Sequence, residues 1–120
     1  MRVRRLSRVV TRKFDEALRP LGITPAQLSL LVIIELRGPV APSAVARYLD
    51  IEKSTLSRNL RLMNAAGWIQ YRSEGSEKRL ELTAAGRKLL ADAYPLWGQA
   101  QKKVRELLGT RTAETLGSLD

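Results

Sequence analysis

Cysteine and histidine are both missing from the 120-residue chain. Without cysteine there is no disulfide framework, no thiol nucleophile and no thiolate metal site, and folding needs no oxidising compartment. Without histidine the Ser-His-Asp and Cys-His arrangements are excluded too, with zinc fingers and most transition-metal sites. Acids are scarce, 12 Asp and Glu against 21 Lys and Arg. They form no pair framed by a substrate-sized motif, and no base is placed to activate a serine or lysine. The chain is therefore expected not to be an enzyme and to need neither metal nor cofactor. No apolar run approaches the roughly 20 residues that span a bilayer, which predicts a soluble, cytoplasmic protein with no membrane partner. The Arg-rich start "MRVRRLSRVVTRKF" has no continuous apolar stretch and runs straight into Asp15 and Glu16, so it reads as a helix of the folded protein rather than a targeting segment.

What the chain has is positive charge, a formal +9. Such a surplus points to phosphate polymers, anionic lipid or acidic proteins as partners. The length suits one folding unit with a core of its own. Val3, Leu6, Val10, Phe14, Ala17 and Leu21 recur at steps of three and four, a helical stripe that Pro20 and Gly22 end. Thr24 is placed as an N-cap, Pro25 at the first helical position and Gln27 to close a capping box, so a second helix should run through "LSLLVIIEL" to Gly38. Pro42-Ser43 opens a short third helix with Val45, Ala46 and Leu49, which exits at Asp50-Ile51.

The segment "EKSTLSRNLRLMNAAGW" predicts a fourth helix from about Lys53, stopped by Gly67. On its wheel Leu56, Leu60, Met63, Ala66 and marginally Leu62 share one half, with Lys53, Ser54, Ser57, Arg58, Arg61 and Asn64 on the other. That outward half carries no acid after Glu52, unlike a merely solvated helix in which Glu and Lys alternate. After Gly67 the period falls to two: Ile69 and Tyr71, then Leu80 and Leu82, flank a polar "SEGSEK" tip, which is a β-hairpin. Thr83 caps a last long helix with a seam of Leu89, Ala93, Leu96, Ala100, Val104 and Leu107; Pro95 should kink or split it, and Gly109 should close it.

The expected fold is thus mainly α with a small β-hairpin, a winged helix-turn-helix in a single domain spanning 1–120. Residues 24–83 form a DNA-binding lobe, and 1–22 and 84–120 form N- and C-terminal dimerisation helices. A helix that enters the major groove of double-stranded DNA packs its back on the domain and presents donors, with nothing anionic, at its front. Ser54, Ser57 and Arg58, nearest the N-terminus, are placed for base edges and Arg61 for a phosphate; Lys53 and Thr55 complete the set on this helix. Ser43 is either a cap or a phosphate contact. Arg72, Lys78 and Arg79 on the hairpin are either phosphate or minor-groove contacts or plain surface charge. A monomer would read a half-site only, and a homodimer would join through Leu6, Val10 and Phe14 of the first helix and Leu96, Trp97, Val104 and Leu107 of the last. Tyr94 and Trp97 belong to core or interface packing, or else to a ligand pocket.

From Leu21 to Leu107 the sequence resembles the MarR family of bacterial transcriptional regulators. "LGITPAQLSLL" is similar to that family's second-helix opening, "AVARYLDIEKSTLSRNLRLMNAAGWI" to its helix-turn-helix, and "LELTAAGRKLL" to its return strand and the start of its long fifth helix. The resemblance implies a homodimer that represses from a pseudo-palindromic operator and is relieved by a small-molecule effector, often an aromatic or phenolic anion, held between the dimerisation and DNA-binding parts. Wings of that family commonly carry Asp-x-Arg with the Arg in the minor groove. Here Glu77 and Arg79 match when counted from Gly67, while counting back from Leu82 breaks the match because this wing is shorter. The family's last helix also usually continues beyond the point where Asp120 ends this sequence.

Two other classes are weighed against sequence-specific regulation. A winged helix that binds nucleic acid without sequence preference, or binds RNA, would use the same charge, but single strands want exposed aromatics, and the one Phe, three Tyr and two Trp lie mostly on apolar stripes. A membrane-surface or protein-interaction module fits less well, because the arginines of the first helix do not form a clean polar face.

Overall fold

A computed structural model describes the backbone of residues 2–118 and the side chains of residues 8–109. Helix α1 spans Arg2–Leu18 and ends in a 3-10 turn, Arg19–Leu21, closed by Gly22 in the left-handed region at φ 72. Helix α2 (Pro25–Arg37) starts on the expected capping box: the Gln27 N–H donates to Thr24 Oγ1 at 3.2 Å and the Thr24 N–H donates to Gln27 Oε1 at 3.1 Å. Helix α3 is Pro42–Leu49, and α4 is Lys53–Ala65. Strands β1 (Ile69–Glu74) and β2 (Glu77–Leu82) pair antiparallel, and α5 runs Ala84–Ser118.

The core lies where these elements converge. Leu18, Leu30, Leu31, Ile34, Val45, Met63, Ile69 and Leu80 are its most completely buried large side chains. Gly38 ends α2 with extended backbone, and the position requires glycine because a Cβ there would collide with the Ile34 carbonyl. The chain then turns so that Val40 exchanges two backbone hydrogen bonds with Leu80, at 2.9 and 2.7 Å, a one-residue bridge on the edge of β2 away from β1.

The base of the hairpin is fastened to α5. The Thr83 hydroxyl donates to the Gly67 carbonyl at 2.5 Å and accepts from the Gly86 N–H at 3.0 Å, and the Thr83 N–H donates to the Trp68 carbonyl at 3.1 Å. Gly86 permits this close approach, since any Cβ would land on the Trp68 carbonyl.

Three expectations need correction. The hairpin strands run to a two-residue turn at Gly75–Ser76 instead of a six-residue polar tip. Of the two outcomes expected at Pro95, a kink or a split, the split does not occur: the proline loses the bond that its own N–H would have made to the Ala91 carbonyl and crowds that carbonyl, while packing against α1 and α2 supports the helix. Gly109 does not end it either; one glycine costs a helix about 1 kcal/mol and does not stop it.

Beyond the core, α1 and α5 pack against each other, with the Phe14 and Trp97 rings 4.1 Å apart between centroids. The molecule measures 60 × 26 × 20 Å with a radius of gyration of 17.2 Å. A compact chain of this length would have about 14 Å. No single helix among the described residues is long and apolar enough to cross a membrane.

Candidate nucleic-acid interface

Helix α4 is anchored on one side only. Leu56, Leu60 and Met63, at steps of four and three, are buried, and Lys53, Ser54, Ser57, Arg58, Arg61 and Asn64 are exposed. Its N-cap, Glu52, makes no side-chain bond to the first-turn N–H groups, and that turn holds no acid. No ion pair among the described residues involves Lys53, Arg58 or Arg61. The resulting front is cationic and hydroxyl-bearing, with its hydrogen-bond donors open to solvent. Thr55 stands apart from it, half-buried, with its carbonyl accepting from Asn59 Nδ2 at 3.2 Å.

Two residues placed inward by the wheel are outside: Leu62 is 56% exposed and Ala66 is exposed, because the body covers only the narrow stripe of Leu56, Leu60 and Met63. Ser43 does not cap α3. The N-cap is Ala41, without a side-chain bond, and Ser43 sits exposed as the helix's second residue.

On the hairpin the register decides the surroundings of each cation. Arg72 faces Arg79 directly, Ser73 faces Lys78, and Glu74 faces Glu77 across the turn. Arg72 leans toward Glu81 at 3.7 Å, while Arg79 lies 3.3 Å from Glu74 and 3.2 Å from Glu77. Lys78 is exposed and takes part in no ion pair among the described residues. The hairpin arginines named from sequence are therefore both paired to carboxylates. Recognising Gly75 as the first residue of a two-residue turn would have revealed these pairings, because the turn sets the register.

Among the dimerisation candidates, Val10, Phe14, Leu96, Trp97 and Leu107 are half-buried, Val104 is buried within the protomer, and Leu6 lies outside the described side chains. A groove of about 360 Å³ opens between α2, the end of α3 and α5, lined by Leu28, Ser29, Val32, Ile33, Leu49, Leu90, Tyr94 and Trp97. Its size suits a small ligand. Tyr94, expected in core or interface packing or else in a ligand pocket, is 78% exposed in the single chain and so is not a core residue; it stands in the groove wall. Most of the lining was not singled out from sequence, although "LSLLVIIEL" is apolar around nearly its whole circumference, more than one buried face requires.

Residues 21–80 match the family profile described as MarR family. The Mycobacterium tuberculosis transcriptional regulator MosR in complex with DNA superposes with a TM-score of 0.75 at 35% identity, over 98% of this chain and 90% of that one. The uncharacterised HTH-type transcriptional regulator YwoH of Bacillus subtilis is 29% identical over 101 residues, 84% of this chain; the chain spans 65% of that relative's length. The multiple antibiotic resistance protein MarR of Escherichia coli is 28% identical over 123 residues, covering 97% of this chain and 84% of that protein. With a helix-turn-helix, a wing tied to its neighbours by hydrogen bonds, and a family match over half its length, the chain belongs to the MarR family of transcriptional regulators.

Proposed function

We propose that this protein is a homodimeric, sequence-specific binder of double-stranded DNA that represses transcription from a pseudo-palindromic operator in the cytoplasm, in a binding role without chemistry of its own. The observation that carries the reading is α4: a helix buried along Leu56, Leu60 and Met63 whose free side bears Lys53, Ser54, Ser57, Arg58 and Arg61, with no carboxylate among the described residues tying up the cations. Ser54, Ser57 and Arg58 are assigned to base edges, and Lys53, Thr55, Arg61 and Ser43 to phosphates and register. Lys78 at the hairpin tip, with Arg72 and Arg79, is assigned to the flanking backbone and minor groove. The DNA-bound state of MosR supports the assignment. Binding of single strands by stacking finds less support, since α4 carries no aromatic residue.

Residues 24–83 would form the DNA-binding lobe, and 1–22 with 84–120 the dimerisation arm. The elongated shape, with α1 and α5 running beyond the core, supports such an arm, and two copies would set their α4 helices on half-sites about 34–36 Å apart. The apolar groove between arm and lobe is the proposed effector site, with Tyr94 and Trp97 in its wall.

Selection of bound duplexes from a random pool tests the whole reading. The expected result is a recovered site with two-fold symmetry whose affinity falls steeply with salt, by about 0.9 in log–log slope per phosphate contacted. Recovery of no preferred sequence, or an affinity indifferent to salt, would remove it.

A further inference from the structure

In a chain of net charge +9, the outward face of the hairpin is locally acidic. Cross-strand pairing puts Gln70, Arg72, Glu74, Glu77, Arg79 and Glu81 on one face, opposite the face that buries Ile69, Leu80 and Leu82. That face holds two guanidiniums and three carboxylates. Arginines directly opposite each other repel. Here they lean apart, Arg72 toward the base and Glu81, Arg79 toward the tip. The grip on Arg79 is two-sided: Glu77, on the same strand, takes Nη2 at 3.2 Å, and Glu74, from the other strand, stands 3.3 Å from Nε. Nε itself is shut off from solvent and makes no hydrogen bond among the described residues, so Glu74 holds the guanidinium by charge and by covering it.

We infer that Glu74 is a latch, a positioning residue that holds the Arg79 guanidinium against the hairpin when no duplex is bound. The inference rests on the duplex-binding reading above. Glu77 alone would leave the side chain free to swing outward about its strand; the cross-strand carboxylate removes that freedom. Engagement of the wing by Arg79 is then an exchange, in which a phosphate or minor-groove acceptor replaces Glu74. An exchange returns less free energy than a new contact, so the latch lowers affinity for every duplex alike and leaves discrimination to α4. Lys78, on the opposite face and unpaired among the described residues, makes its contact without any such exchange.

Glu74→Gln, Arg79→Ala and the double variant test this with two measurements. In the free protein, hydrogen exchange of the Arg79 Nε–H, followed by NMR, is expected to be faster in Glu74→Gln than in wild type; an unchanged rate overturns the latch whatever the duplexes do. In titrations with a duplex recovered by selection and with a scrambled duplex, Glu74→Gln is expected to bind both about two- to fivefold tighter at low salt. Its salt slope should stay that of wild type, because Arg79 meets the same acceptor in both proteins and only the cost of leaving Glu74 differs. Placed on Arg79→Ala, the same substitution should give no gain. A gain that persists there would mean that Glu74 acts as a bare charge on the phosphates, and a gain confined to the selected duplex would mean that Glu74 controls discrimination; either overturns the proposal. Failure of the wild-type chain to bind either duplex strikes the regulator reading, while the exchange measurement still decides whether Glu74 restrains Arg79.

Discussion

Replacing Gly86 by alanine should unfasten the wing from α5, and the geometry allows the size of the effect to be worked out. The new Cβ would fall on the Trp68 carbonyl oxygen and 3.0 Å from its carbon. Both obstacles are backbone, so no rotamer change relieves them. The first turn of α5 must back away, which stretches the Thr83 N–H bond to Trp68 and the Thr83 hydroxyl bond to Gly67. Each such bond contributes about 0.5–1.5 kcal/mol net. Overpacking adds roughly 1–3 kcal/mol. Against this stands the helix preference for alanine over glycine, about 1 kcal/mol. The balance is a destabilisation of about 1–5 kcal/mol. Gly98, in the same helix, is the internal control: it is exposed and a Cβ there meets nothing within 4 Å, so Gly98→Ala should stabilise by up to about 1 kcal/mol. Urea unfolding of both variants at one fixed protein concentration reads the difference, since association would otherwise shift apparent stability. If Gly86→Ala proves as stable as wild type, or if both substitutions move the midpoint the same way, the close-approach argument is wrong.

Thr24→Ala should cost about 1 kcal/mol by opening the capping box of α2, and Thr24→Ser should restore most of it, as measured by the same unfolding curves. Arg58→Ala should lose about 1–3 kcal/mol on the selected duplex and little on a scrambled one, by fluorescence anisotropy. Lys78→Ala should weaken both duplexes alike and flatten the salt slope by about 0.9. A small phenol titrated into the protein should change the emission of Trp97, which lines the groove; the change should vanish in Trp97→Phe, with Trp68 left as the remaining indole.

The back of α4 and the start of α2 were legible because local rules govern them. Thr24, Pro25 and Gln27 set a capping box within a few residues, and Leu56, Leu60 and Met63 mark a buried stripe whatever the rest of the chain does. The edges of that stripe were not legible, since exposure of Leu62 and Ala66 depends on how far the neighbouring body reaches. The split at Pro95 and the stop at Gly109 were not met because each local penalty is small: one lost bond, offset by packing of the helix on α1 and α2, and about 1 kcal/mol for one glycine. Glu81, the partner of Arg72, and Glu74, one of the two partners of Arg79, lie across the strands, at distances in sequence that nothing but the turn geometry sets. Tyr94 reads as a residue of packing or of a pocket with nothing local to decide, yet it is exposed and borders a groove that forms only once α2, α3 and α5 come together.

Thr83 is the single residue between the end of β2 and the start of α5, and its hydroxyl and N–H are both spoken for. Strand and rod are consequently joined without slack. A rod of 35 residues is about 50 Å long. Tilting its far end must carry the hairpin along or else rupture the bonds at Thr83, so in the homodimer proposed above the spacing between the two wings would follow from how the rods cross.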